Sequence, residues 1–146
     1  MHFTFSPIDD ESVEIVRSWE YEGHFICYDT EKTPISIDQV IRSKRFTCFV
    51  VMDEAEEAVG FLAVTFDSDG IMEMENFLNP DYVGEGIGQD FISECSDFVV
   101  EHFDYDKSVI NLVMEPHNKR AIKIYERAGF FIADECDEWV EMQLEI

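Results

Sequence analysis

Three glycines between an extended stretch and a helical one form the most chemically suggestive pattern in this sequence. Gly84, Gly86 and Gly88 lie in N-P-D-Y-V-G-E-G-I-G (79–88), after the extended run 71–78 and before the helical run 89–102. Glycine lets the backbone turn sharply and approach a ligand closely. The first N–H groups of a helix have no partner within the helix and attract anions. The pattern predicts an anion cradle that would suit a pyrophosphate.

Other glycine-rich turns are distinguishable from this one. No G-K-S/T follows the glycines, which excludes the phosphate loop of nucleotide hydrolases. The third glycine comes too early for a dinucleotide fingerprint, and the turn follows the middle of the chain rather than a first strand. An ordinary tight turn, with glycines for packing, is the remaining alternative.

A second motif, H-N-K-R-A-I-K-I-Y-E-R-A-G-F, occupies 117–130, about thirty residues further along. Together, V-G-E-G-I-G and N-K-R-A-I-K-I-Y-E-R-A-G-F resemble the two cofactor-binding motifs of GNAT-type N-acetyltransferases, which use acetyl-coenzyme A (acetyl-CoA). The order and separation of the motifs also match, and the resemblance extends in outline over nearly the whole chain. It implies an α/β (α+β) GNAT-like fold in a single domain, 1–146, with a mixed, mostly antiparallel sheet of six to seven strands and about four helices.

The resemblance assigns cofactor contacts to two stretches. Backbone N–H groups would face the pyrophosphate, and they belong to Val83, Gly84, Glu85, Gly86, Ile87, Gly88 and Gln89. The family commonly has Arg or Gln where this chain has Val83, so one side-chain contact to phosphate would be missing and binding weaker. The pantetheine arm would lie between two splayed strands and pair with the backbone of Phe77 and Leu78, where an N–H group would polarise the thioester carbonyl.

Two residues of the second motif also receive roles from the resemblance. Tyr125 matches the family's tyrosine near the coenzyme sulfur, a general acid for the departing thiolate. Asn118 matches an asparagine that contacts the coenzyme. Each also fits a structural role, because Tyr125 continues the apolar stripe of its helix and Asn118 is a good N-cap. A buried tyrosine needs a partner for its hydroxyl, so both roles of Tyr125 are compatible.

A carboxylate is expected to accept the proton of the acceptor amine. Strand periodicity places Glu73 and Glu75 on the same face as Phe77, with Met72 and Met74 on the other. A free amine has a pKa of about 10 and arrives protonated, so a carboxylate, acting through water, would serve as the base. Glu73 is the preferred candidate, and a solvated carboxylate on an exposed strand face is the alternative for either residue.

Aromatic residues crowd the segment 19–28, W-E-Y-E-G-H-F-I-C-Y. Such residues either fold into the core or wall a pocket. In GNAT-type enzymes this part of the chain builds the acceptor side of the cleft. The resemblance therefore suggests that Trp19, Tyr21 and Tyr28 hold an alkylammonium group through cation–π contacts.

The formal net charge of −23 limits the partners of the chain. It repels nucleic acid and anionic lipid, so no nucleic-acid or membrane partner is expected. The acidity is spread over the whole sequence, which favours a general surface adaptation, such as that to high salt, for most of the charge. Attraction of a cationic amine is the alternative for the rest. Five of the ten Lys and Arg residues lie in 107–127 and would help to bind the anionic coenzyme.

The remaining composition predicts an intracellular, cytoplasmic protein without a metal site. No apolar run approaches a membrane span, and the start M-H-F-T-F-S-P lacks the regions of a signal peptide. The four cysteines are scattered without a C-x-x-C pair, and all are predicted to be buried free thiols.

Hydrophobic periodicity places the elements. It predicts strands at 2–8, 46–52, 58–66, 71–78, 109–114, 130–133 and 139–146, and helices from Asp9 or Asp10 to Trp19, at 34–45, at 89–102, and between Asn118 and Gly129.

The predicted activity is direct transfer of an acetyl group from acetyl-CoA to a primary amine, in a ternary complex without a covalent enzyme intermediate. The acceptor would be a small cationic amine, or the N-terminus or a lysine of a protein. The alternative is a GNAT-like module that binds an acyl-CoA as a sensor or partner without turnover. A homodimer would be in keeping with similar proteins.

Overall fold

The computed structural model describes residues 2–19, 27–28, 34–35, 37–82 and 86–146. Its nine strands are β1 Thr4–Pro7, β2 Cys27–Tyr28, β3 Pro34–Ile35, β4 Thr47–Met52, β5 Ala58–Phe66, β6 Met72–Leu78, β7 Val109–Met114, β8 Phe131–Glu135 and β9 Val140–Glu145. Its four α-helices are α1 Asp10–Arg17, α2 Ile37–Arg42, α3 Gly88–His102 and α4 Lys119–Arg127.

Seven strands form one sheet in the order β1-β4-β5-β6-β7-β9-β8. All neighbouring pairs are antiparallel except β6 and β7, which run parallel. The sheet and the four helices confirm the predicted fold class. The parallel pair needs a long crossover, and α3 lies in it.

Helix boundaries follow from local capping. Asp9 and Ser12 form a reciprocal capping box at the start of α1, in which each side chain accepts from the other residue's backbone N–H. The Ser12 N–H and the Ser12 hydroxyl both donate to the Asp9 carboxylate and hold the pKa of that carboxyl below its usual value. Asn118 caps α4 by accepting from the Ala121 N–H at 3.2 Å, and Gly129 follows the helix with φ +103°.

One predicted element is wrong. The stretch 34–45 is not a single helix, because Pro34–Ile35 pairs with Cys27–Tyr28 as a two-stranded antiparallel sheet and α2 spans only Ile37–Arg42. Proline has no N–H to donate, and a β-branched isoleucine favours extended backbone. The short pairing of β2 with β3 was not predicted.

Two apolar clusters cover the two faces of the sheet. The larger cluster joins α3 and α4 to one face, through residues such as Met74, Phe91 and Val99. The smaller cluster joins α1 and α2 to the opposite face, through Val16, Val40, Phe61 and Phe77 among others. Each strand side chain therefore belongs to the α3–α4 face or to the α1–α2 face.

The cysteine prediction holds for two of the three thiols described. Cys48 and Cys95 are buried, but Cys136 is exposed, which corrects the expectation for that residue. Its backbone N–H donates to the Trp139 carbonyl in the turn between β8 and β9, at the edge of the sheet. The side chain of Cys27 lies outside the described residues.

The sheet splits between β6 and β7. These strands pair only at Met72 with Ile110 and at Glu73 with Asn111, whereas β5 and β6 remain paired through Leu78. The Tyr105 hydroxyl bridges the paired end, accepting from the Met72 N–H at 2.9 Å and donating to the Val109 carbonyl. Beyond this bridge the two strands diverge, as expected from the resemblance.

Gly60 on β5 permits the close approach of α3 to this region. A Cβ atom at Gly60 would lie 2.3 Å from Cε1 of the Phe91 ring and 3.1 Å from the Phe77 carbonyl oxygen. The ring is 2% exposed and has little room to move. We expect Gly60→Ala to lower the free energy of unfolding by about 1–3 kcal/mol, measured by urea denaturation.

A double-mutant cycle tests whether a clash with the Phe91 ring causes the destabilisation expected for Gly60→Ala. The smaller side chain in Phe91→Leu should relieve the clash, so Gly60→Ala should cost less in that background than in the natural protein. An equal cost in both backgrounds would contradict the proposed contact.

Candidate active site

A cavity of about 590 Å³ occupies the split in the sheet. Its walls come from β6, β7 and the facing sides of α3 and α4. The lining residues are Glu75, Asn76, Phe77, Leu78, Gly86, Gly88, Gln89, Phe91, Ile92, Leu112, Val113, Met114, Asn118, Arg120, Ala121, Lys123, Ile124, Tyr125 and Arg127. The cavity therefore brings together residues from both sequence motifs.

The start of α3 forms one end of the cavity. Its N-cap residue, Ile87, makes no side-chain hydrogen bond to the first N–H groups of the helix. Gly86 has φ +82°, and a Cβ there would meet nothing within 4 Å. Glycine suits this left-handed backbone, and an uncapped helix start attracts anions. Val83, Gly84 and Glu85 lie outside the described residues.

Gly88 and Gln89 tie α3 to α4. A Cβ at Gly88 would lie 3.3 Å from Cγ2 of Ile124, which indicates close helix packing. The Gln89 side chain donates from Nε2 to the Arg127 carbonyl at 3.1 Å. These contacts hold the start of α3 beside α4.

Three cations of α4 line the same cavity: Arg120, Lys123 and Arg127. All three are exposed, and none has a carboxylate at ion-pairing distance within the described part of the chain. Their charge therefore adds to that of the α3 N-terminus. Lys107 and Lys119 belong to the same basic stretch but do not line the cavity.

Tyr125 projects from α4 into the cavity wall and is 8% exposed. Its hydroxyl donates to Oδ1 of Asn76 on β6. Its ring meets that of Phe130 edge to face, with the centroids 5.4 Å apart. Tyr125 therefore belongs to the core and to the cavity wall at once, and its role as the general acid stays a prediction.

The two candidate bases differ in position. Glu75 lines the cavity and is 4% exposed, whereas Glu73 is half-buried at the paired end of β6 and does not line it. Phe77 belongs to the α1–α2 cluster, so strand alternation puts Glu75 on that face. Leu78 packs against the α3–α4 cluster and also lines the cavity.

The aromatic segment is described only in part. Trp19 is half-buried and packs against the cluster on the α1–α2 face, outside the cavity lining. Tyr28 lies on β2, which is close to β7, but its side chain lies outside the described residues. Tyr21 also lies outside them.

Asn76 is a cavity residue that sequence reasoning missed. Alternation along β6 puts it on the α3–α4 face, among Met72, Met74 and Leu78. A polar side chain on an otherwise apolar strand face was the available signal. Its partner, Tyr125, could not be deduced because the residues lie 49 positions apart.

Three observations on the described residues concern a nucleophilic cysteine, a metal site and a membrane-spanning helix. Burial raises the pKa of the Cys95 thiol well above its usual value, which disfavours a nucleophilic thiolate. Within 2–19, 27–28, 34–35, 37–82 and 86–146, no three His, Cys, Asp or Glu residues are arranged to hold a metal ion. None of the described helices combines the length and apolar character needed to cross a membrane.

Solved structures of known acetyltransferases share this fold. AAC(6')-Ib, in complex with paromomycin and acetyl-CoA, superimposes with a TM-score of 0.75 at 16% identity, covering 99% of this chain and 94% of that one. A chimera of the spermidine N-acetyltransferase SpeG from Vibrio cholerae and hSSAT gives a TM-score of 0.74 at 16% identity, covering 99% and 96%. No curated protein matches by sequence.

The family comparison covers most of the chain. The model of the acetyltransferase (GNAT) family matches residues 13–130, which include both motifs, the split strands and α3 and α4. The chain therefore belongs to the acetyltransferase (GNAT) family, and this membership makes it an acetyl-CoA-dependent N-acetyltransferase.

Proposed function

We propose that this enzyme transfers acetyl directly from acetyl-CoA to a small cationic primary amine or to a protein N-terminus or lysine, in a ternary complex. One observation carries the proposal. A single cavity lies at the split between β6 and β7 and is lined by Tyr125 from the α3–α4 side and Glu75 from the α1–α2 side. A donor and an acceptor approaching from opposite faces could meet there without a covalent enzyme intermediate.

The residues present fit the coenzyme. The uncapped start of α3, with the open backbone at Gly86, would hold the pyrophosphate, and Arg120 and Lys123 would add positive charge. The diverging strands leave room for an extended arm beside Phe77 and Leu78. Asn118 lines the cavity while capping α4, so its coenzyme contact would use the same side chain.

The bound acetyl-CoA would supply an activated acyl group whose thiolate, with a reference pKa of about 8.5, departs readily. Glu75 would accept the proton of the incoming ammonium group through water. A backbone N–H of β6 would polarise the carbonyl. Tyr125 would return a proton to the sulfur. Glu75 takes the place of Glu73 in this proposal because only Glu75 reaches the cavity.

The acceptor is proposed to be cationic. Glu75 is a carboxylate at the acceptor side, and the net charge of −23 draws cations and repels nucleic acid. The names of two structural neighbours point the same way, since one is a spermidine N-acetyltransferase and the other was solved with paromomycin. Trp19, Tyr21 and Tyr28 remain our candidates for the wall around the amine.

The test is release of free thiol from acetyl-CoA by the purified protein with a panel of amines. The panel contains a polyamine, an aminoglycoside and a peptide with a free N-terminus. We expect amine-dependent release, with acetylated amine as the product by mass spectrometry. Tight coenzyme binding without amine-dependent release would favour the sensor instead.

Two cations of α4, Arg120 and Lys123, are expected to contribute to coenzyme binding. The double variant Arg120→Gln/Lys123→Gln should weaken acetyl-CoA binding by about tenfold or more at low salt, because two charge-assisted contacts to phosphate are lost. Calorimetric titration measures the effect. The loss should shrink at high salt, where exposed charges are screened.

Lys107→Gln/Lys119→Gln is the matched control. It removes two cations of the same basic stretch that do not line the cavity, and it should leave affinity within about twofold, as expected for screened surface charges. Equal losses in the control and in the double variant would show that the net charge matters rather than these two side chains.

A further inference from the structure

Three polar side chains meet beside the cavity, and the proposed reaction uses only one of them. The Tyr125 hydroxyl donates to Asn76 Oδ1, and the Asn76 amide lies beside the Cys95 thiol without a regular hydrogen bond to it. Cys95 is fully buried on α3, and Tyr125 lies on α4. Asn76 therefore links β6 to both helices at the split.

In this orientation the Asn76 amide leaves a buried hydrogen-bond donor without an acceptor. Its Nδ2 atom is fully buried and makes no hydrogen bond to any of the described residues. The Cys95 thiol that it faces is itself a weak donor. Burial keeps that thiol protonated, because it raises the pKa of Cys95.

Turning the amide end for end would satisfy all three groups. Oδ1 would then accept from the Cys95 S–H, and Nδ2 would donate to the Tyr125 oxygen. The two orientations have almost the same heavy-atom shape, so the exchange needs no repacking. The Tyr125 O–H would no longer be engaged by Asn76 and could be directed into the cavity.

We propose, on the basis of the proposed function, that Asn76 is a positioning residue whose amide turns the proton of Tyr125 toward the coenzyme sulfur. In the transfer step the C–N bond forms and the C–S bond breaks, and the nitrogen of the new amide gives its extra proton to water. Tyr125 gives its proton to the thiolate and keeps the O–H electron pair as a phenolate. The Nδ2–H of Asn76 stabilises this phenolate, which regains a proton from solvent.

The test compares Asn76→Asp with Tyr125→Phe. A carboxylate can only accept, so it would hold the Tyr125 O–H away from the cavity, and kcat should fall about 10- to 100-fold with little change in affinity for acetyl-CoA. The double variant should be no slower than Tyr125→Phe alone, because Asn76 acts through Tyr125. Additive losses in the double variant would overturn the proposal.

A titration without turnover gives a second readout. The ultraviolet signal of tyrosinate, taken as the difference from Tyr125→Phe, reports ionisation of Tyr125. Asn76→Asp should raise the pKa of Tyr125, because a nearby carboxylate opposes the phenolate. Asn76→Leu, which introduces no charge, should also raise it by removing the donor. An unmoved titration in both variants would overturn the pairing, whatever the activity of the enzyme.

Gln143→Glu is the matched control. It makes the same change from amide to carboxylate at a half-buried residue of β9 that does not line the cavity. Its kcat and its Tyr125 titration should match those of the natural protein. A loss of kcat equal to that of Asn76→Asp would assign the effect to added charge in the sheet and would overturn the role of Asn76.

Discussion

Replacing Tyr125 with phenylalanine should lower kcat about 10- to 100-fold at neutral pH while leaving the affinity for acetyl-CoA nearly unchanged. The ring contact with Phe130 survives the change, whereas the hydroxyl is lost and with it the bond to Asn76. The expected loss lies at or below the lower end of the usual range for general acids, because a thiolate is a fairly good leaving group. Steady-state kinetics and calorimetry measure the two quantities.

The loss of kcat in Tyr125→Phe should depend on pH in a way that identifies a general acid. Above a pH of about 8.5 a free thiolate is stable in water, so a proton donor matters less for its departure. The ratio of kcat in the natural protein to that in Tyr125→Phe should therefore shrink as the pH rises. A ratio that is constant over the whole pH range would contradict the assignment of Tyr125 as the acid.

Tyr105→Phe is a matched control for the loss of a tyrosine hydroxyl. Its hydroxyl bridges Met72 of β6 and Val109 of β7 at the paired end of the strands, outside the cavity. Removing it should lower the free energy of unfolding by about 1–2 kcal/mol and leave kcat within about twofold. A comparable loss of kcat in this control would point to general loosening of the sheet.

The sequence was sufficient to predict those strands and helices whose ends are marked by polar, turn-forming or capping residues. β5 and β7 were predicted at 58–66 and 109–114, where the structure has them, because polar or turn-forming residues flank each apolar run. The α4 helix is framed by Asn118 and Gly129, each of which acts on backbone groups within a few residues. In such cases the sequence contains both the element and its ends.

Long-range pairing could not be predicted in the same way. Periodicity places Glu73 and Glu75 on one face, but the point at which β6 leaves β7 decides which carboxylate reaches the cavity. That point depends on a strand more than thirty residues further along. The contact of Asn76 with Tyr125 likewise depends on how α4 packs on the sheet. The sequence therefore indicated residues that line the cavity, but not how they are arranged around it.

The edge of the sheet shows that exposure, too, could not be predicted from the sequence. Cys136 was expected to be buried because most free cysteines are, but it lies in the turn between the last two strands. β8 is the edge strand, and all five of its residues are exposed. Strand order sets this exposure, and strand order is not encoded in the local pattern.

Replacing Glu75, the carboxylate that lines the cavity, is expected to have the second large effect on activity. Glu75→Gln should lower kcat/KM for the amine by about 100-fold or more at neutral pH, because the proton acceptor at the acceptor side is lost while the side chain keeps its shape. Most of an amine with a pKa of about 10 is protonated at this pH. In the variant the rate should follow the concentration of free amine and rise about tenfold per pH unit until that pKa is reached.

Glu73→Gln tests whether position along β6 matters. Glu73 lies two residues earlier on the same face, at the paired end of the strand and outside the cavity lining. Its variant should keep kcat/KM within about twofold. If Glu73→Gln were the slow variant and Glu75→Gln the active one, the acceptor would enter nearer the paired end than the cavity indicates. Wild-type rates in both variants would mean that neither carboxylate is the base, and that water or another group of the acceptor wall takes the proton.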